Sequence, residues 1–227
     1  MTIDALEQVG LVAREVRTGE RGGRPTKVAE ARRTYRAEVE DVWDALTSAE
    51  RLPRWFLPVS GDLRVGGRYQ LEGNAGGTVE ACERPGRLAV TWEYNGEVSW
   101  VEVHLAPAGD GTELRLVHEA HVDPAFWEQF GPGAVGVGWD LALWGLATHL
   151  ATRAAVDPAA AEAWTVGPEG RAFVTTAATG WADAAAADGD DPAAAREAGA
   201  RTIAFYTGQE APTGDAAAPA DGDEQTR

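Results

Sequence analysis

The 227-residue sequence holds one cysteine, Cys82, so it can form no intramolecular disulfide, and a reducing compartment fits. No apolar run reaches about 18 residues, and the first thirty residues hold no apolar leader core. We therefore expect a cytoplasmic protein with no membrane insertion. Positive charge is scarce. Twenty Lys and Arg stand against 36 Asp and Glu, a formal charge of −16, which argues against nucleic acid and anionic membrane surfaces as partners. Lys27 is the only lysine, and Arg usage with abundant Ala and Gly suggests a high-GC bacterial genome. After residue 182 stand ten acidic and three basic residues, so about −7 of the charge sits there.

Catalytic motifs are also missing. There is no G-x-S-x-G, and Cys82 has no recognisable base partner. The pair in "HEAH", His118 and His121, is spaced by three, which on a strand puts the rings on opposite faces. No helical H-E-x-x-H replaces it, so no metal site is expected. The spacing G-x-G-x-x-G does occur, at Gly131, Gly133 and Gly136 in "GPGAVGVGWDLALWG". A dinucleotide loop needs a buried strand before the first glycine, and "DPAFWEQF" is not one. Pro132 also removes an N–H that a phosphate would need. We expect these glycines to form a turn into a helix, with Gly136 and Gly138 letting it approach the sheet or leaving space at a cavity mouth. No cofactor is assigned.

What is present is a pattern. "IDALEQVG" reads as a short helix, and "LVAREVR" with "KVAEARRTYRAE" reads as a hairpin across "TGERGGRP". "VEDVWDALTSAERLPRWF" (39–56) spaces Val39, Val42, Trp43 and Leu46 as a helix, which Pro53 and Pro58 break into two short ones. From 59 to 122 the period is two, with turn signals "GNAGG", "RPG", "NG" and "PAGDG" between strand-like runs. This is an antiparallel meander. Leu88, Val90, Trp92 and Tyr94 share one face, as do Val101, Val103 and Leu105, and Leu114, Leu116 and His118. In the following helix Trp139, Leu143, Leu146 and Leu150 form one stripe, with Leu141, Trp144 and Thr148 opposite. Such a helix must be covered on both sides. Residues 168–187 and 191–208 read as two further helices that supply the outer cover, and 209–227 as an acidic disordered tail.

The segments "VEDVWDALTSAERLPRWF", "VGGRYQLEG", "RLAVTWEY" and the run around "GDGTELRLVHEA" follow one another in an order that resembles the SRPBCC superfamily. Within it they resemble proteins similar to the activator of the heat-shock protein 90 ATPase. The resemblance covers roughly residues 27–153. It implies an α+β helix-grip fold, a curved antiparallel sheet wrapped around a long C-terminal helix, here with two extra C-terminal helices. The expected division is an arm (1–26), the helix-grip domain (27–153), a helical extension (154–208) and the tail (209–227). Whole activators carry a further chaperone-contacting domain ahead of this one, and 26 residues are too few for it.

Superfamily members hold lipids, sterols, hormones or polyketides between sheet and helix, and a few are cyclases or hydrolases. Nine tryptophans suit such a pocket. We expect Trp55, Phe56, Tyr69, Trp92, Tyr94, His118, Trp139 and Leu143 to bind a hydrophobic or amphipathic small molecule without catalysis. Phe126 and Trp127 are candidates for the cavity mouth, and Arg32, Arg68 and Arg115 for an acidic ligand group. The alternatives are a chaperone-associated stress protein and a cyclase- or aromatase-like enzyme using a cavity histidine or carboxylate. The outer helices leave room for a homodimer.

Overall fold

The computed structural model describes residues 4–209. Asp4 caps helix α1 (Ala5–Gly10) by accepting from the N–H groups of Leu6 and Glu7. Strands β1 (Ala13–Arg21) and β2 (Arg24–Tyr35) form the expected hairpin. Helix α2 (Val39–Thr47) and a 3₁₀ turn (Leu52–Arg54) follow, so the apolar spacing of 39–56 does resolve into two pieces. The meander comprises β3 (Val59–Gly61), β4 (Arg68–Leu71), β5 (Gly76–Glu83), β6 (Arg87–Tyr94), β7 (Glu97–Ala108) and β8 (Gly111–Ala120). All neighbours pair antiparallel in one sheet, in the order β1-β2-β8-β7-β6-β5-β4-β3. β2 thus docks on the last strand of the meander, and the connection through α2 spans the sheet.

Helix α3 (Pro124–Phe130) leads to the long helix α4 (Gly133–Thr152), whose Leu143 and Leu146 are buried with Val103, Leu105, Leu114 and Leu116 of β7 and β8. The other side of α4 is covered by α5 (Pro158–Thr165) and α6 (Pro168–Asp188). The ring of Trp144 stacks on Trp164 at 4.3 Å and lies 5.8 Å from Phe173. Helix α7 (Pro192–Thr207) packs on α6 and α3 more than on α4. A buried ion pair ties these layers together. Arg14 of β1 meets Asp140 of α4 at 3.0 Å, and Trp181 of α6 donates its indole N–H to the same carboxylate at 2.8 Å. Burial pushes the Asp140 carboxyl up, against the pull of Arg14.

The glycine stretch does what was expected at its first residue and something different at its third. Gly131 has φ +55 and ends α3 in a conformation L side chains rarely adopt. Gly136 faces neither the sheet nor a cavity mouth. Its missing side chain is the seat of the Trp181 indole, which a Cβ would strike. Helix α5 was not anticipated, although Asp157 caps it and Pro158 opens it. Among the described residues no helix is long and apolar enough to cross a membrane. The expected tail lies, apart from Gln209, outside the described residues.

Candidate ligand cavity

Between the concave face of the sheet and α4 lies a cavity of about 160 Å³. Its walls follow from the period of two. Tyr69 and Leu71 of β4, Val79 of β5, and Leu88, Val90 and Trp92 of β6 project to the side facing α4, as do Val101, Val103, Leu114 and Leu116 of β7 and β8. Helix α4 contributes Trp139, Ala142, Leu143 and Leu146, near one turn apart. The end of α2 and the 3₁₀ turn bring Leu46, Leu52, Trp55 and Phe56.

None of the lining side chains carries a charge. Several polar atoms around the cavity are already committed. The Tyr69 hydroxyl donates to the Thr91 carbonyl at 2.8 Å, the Trp55 indole to the Ala45 carbonyl at 2.9 Å, and the Thr47 hydroxyl to the Trp43 carbonyl at 2.8 Å. Burial holds the Tyr69 phenol well above its ordinary range, so it stays neutral. The aromatic rings form a connected set. Trp55 stacks on Phe56 at 5.5 Å, Phe56 on Trp139 at 6.4 Å, and Trp92 meets Trp139 edge-on at 5.2 Å. A surface of this kind favours apolar groups, whose area it would remove from water, and offers little to a charged one.

Six of the eight residues singled out in the sequence, Trp55, Phe56, Tyr69, Trp92, Trp139 and Leu143, therefore surround one space. Tyr94 does not. It shares its strand face with Trp92 but sits at the last position of β6, 51% exposed, past the end of the cavity. His118 is 7% exposed and lies behind Trp139 rather than on the cavity wall. It accepts the Trp139 indole N–H on Nδ1 at 3.0 Å, and its Nε2 lies 2.8 Å from the Ser99 hydroxyl. An indole nitrogen can only donate, so Nδ1 is bare and Nε2 carries the proton. Burial pushes the imidazole down to about 4, which keeps it neutral.

The three arginines considered for a ligand anion are engaged elsewhere. Arg32 and Arg115 pair with Glu30, and Arg68 with Glu93, through side chains that leave the cavity uncharged. His121 meets the Pro25 carbonyl at 3.0 Å. Phe126 and Trp127 line a second, smaller hollow on the far side of His118. Among the described residues no group of three or more His, Cys, Asp or Glu could hold a metal ion. Leu46, Leu52, Leu71, Val79 and Ala142 were not singled out beforehand. Leu71 was legible as the same-face neighbour of Tyr69, whereas Ala142 became visible only once α4 was set against the sheet.

No curated protein matches this sequence. Among solved structures, the crystal structure of CalU16 from Micromonospora echinospora is 32% identical, with a TM-score of 0.62 over 76% of this chain and 97% of that one. The solution structure of CalU16 gives 31%, 0.65, 78% and 96%. DynU16, from the dynemicin biosynthetic locus, shares the fold at 21% identity and a TM-score of 0.52, over 56% of this chain and 48% of its own. The sequence model described as activator of Hsp90 ATPase homolog 1-like protein matches residues 36–151. That span begins just after β2, runs to the last turn of α4 and takes in every residue lining the cavity, and the chain belongs to this family, within the helix-grip SRPBCC superfamily.

Proposed function

We propose that this protein binds an uncharged apolar small molecule, or the apolar body of an amphipathic one, between the sheet and α4, without transforming it. The observation that carries the reading is the wall itself: aromatic and aliphatic side chains, with the Thr47 hydroxyl and the Cys82 thiol, around about 160 Å³ with no charged residue among them. Retention there comes from area removed from water, and selectivity from the shape set by Trp55, Phe56, Trp92 and Trp139. A cyclase-like role for His118 finds less support, since both ring nitrogens are engaged and Trp139 stands between it and the cavity.

Fluorescence titration with 1-aminoanthracene, an uncharged planar probe, tests the reading. The full chain is expected to bind the dye. Ala142→Phe, which puts a phenyl ring into the cavity, is expected to weaken binding by about tenfold or more, with the fold intact by circular dichroism. No binding, or equal binding to both proteins, contradicts the proposal.

A further inference from the structure

The cavity has an end wall, and there is space behind it. Trp139 lines the main cavity, while His118 lines a second hollow of about 50 Å³. The two side chains are joined by the 3.0 Å bond from the indole N–H to Nδ1. Neighbouring residues divide in the same way. Val101, opposite His118 in the β7–β8 register, lines the main cavity. Val135, one turn before Trp139 on α4, lines the second. The hollows therefore lie back to back, separated by one indole–imidazole pair. The second is also mainly apolar, with Ala29, Val122, Phe126 and Trp127 in its wall. Its cation, Lys27, is held by Asp188 at 2.9 Å and Asp190 at 3.4 Å, so it offers no free charge to an anion.

We propose that Trp139 sets the length limit of the ligand, and that the space behind it suits long apolar alcohols or phenols, whose hydroxyl takes the place of the indole N–H on His118 where that indole is cut back. This rests on the apolar-cavity reading above and deepens it. Chain growth inside the main cavity ends at the indole face. A molecule that displaces the indole uncovers Nδ1, a buried acceptor that is costly to leave bare. The ring cannot turn acceptor into donor cheaply. Its proton on Nε2 faces Ser99, whose hydroxyl in turn donates to the Trp92 carbonyl at 3.2 Å. The incoming group must therefore donate. Hydroxyls do so, whereas ethers and carboxylates do not.

The test is displacement of 1-aminoanthracene from the full chain by straight-chain 1-alkanols and by alkyl methyl ethers of matched length. On the native protein both series are expected to gain about fourfold in affinity per methylene and then level off. In Trp139→Phe, which shortens the ring and removes its N–H, the alcohols are expected to keep gaining past that length. They should then exceed the matched ethers by about tenfold. Adding His118→Leu should abolish that preference. Trp139→Met serves the same comparison if the phenyl variant does not fold. A plateau at the same length in native and variant protein, or alcohols and ethers binding the variant alike, overturns the inference while leaving the cavity reading standing. Failure of dye and alkanols to bind any of the proteins removes both.

Discussion

His118 has both ring nitrogens committed, and each partner constrains the other. The Trp139 N–H fixes the proton on Nε2, and Ser99 takes it there. A charged imidazole would carry protons on both nitrogens and lose the Trp139 bond, which adds to the cost of charging a buried ring. Folding therefore holds this group below its ordinary 6.5, at about 4. The unfolded chain binds the extra proton first as pH falls, so the native state loses stability between pH 6.5 and about 4, and the loss is complete below that. In urea denaturation the native protein should lose on the order of 3 kcal/mol more than His118→Phe across that window. Parallel curves for the two proteins would place His118 in a wetter site than the one described. Tyr94 shows a limit of reading by residue. Alternation along β6 assigns it correctly to the face of Trp92 but says nothing of where along the strand the cavity stops.

Between elements, fit decides more than pattern does. Helix α4 is apolar on two sides because it is covered on two sides, and that much is legible in the spacing of Trp139, Leu143 and Leu146 against Trp144. Which element touches which face is not. Gly136 lacks a side chain because an indole from residue 181 occupies its place, a contact 45 residues away in sequence that no local rule encodes. The same holds for Arg14 and Asp140, joined across 126 positions. Gly136→Val should drive Trp181 from its seat and strain the bond to Asp140. Overpacking of this kind costs about 1–3 kcal/mol, so the thermal midpoint should fall by several degrees. An unchanged midpoint would show that α6 does not pack as tightly on α4 as these contacts require. Helix α5 was missed for a different reason. Its signature, Asp157 followed by Pro158, is the same one that opens α7 at Asp191 and Pro192, but the helix it opens has only eight residues.

For the molecule as a whole, the meander, the long helix and the two outer helices could be read from period and turn chemistry, because each buries one face and each face repeats at its own period. The cavity could be read in part for the same reason. Tyr69 and Trp92 lie on the inward face of the sheet, Trp139 and Leu143 on the stripe of α4 set against it, and Trp55 and Phe56 just past the 3₁₀ turn, so the six meet. The sequence does not reveal whether inward aromatic rings fill that space or surround it, since this depends on how far α4 stands from the sheet. Here they surround it. The most direct test is native mass spectrometry of the protein isolated from the cells that make it. The chain is expected to carry an uncharged apolar molecule that is released on denaturation and absent from Ala142→Phe. A bare chain, or an adduct that persists in Ala142→Phe, would contradict it.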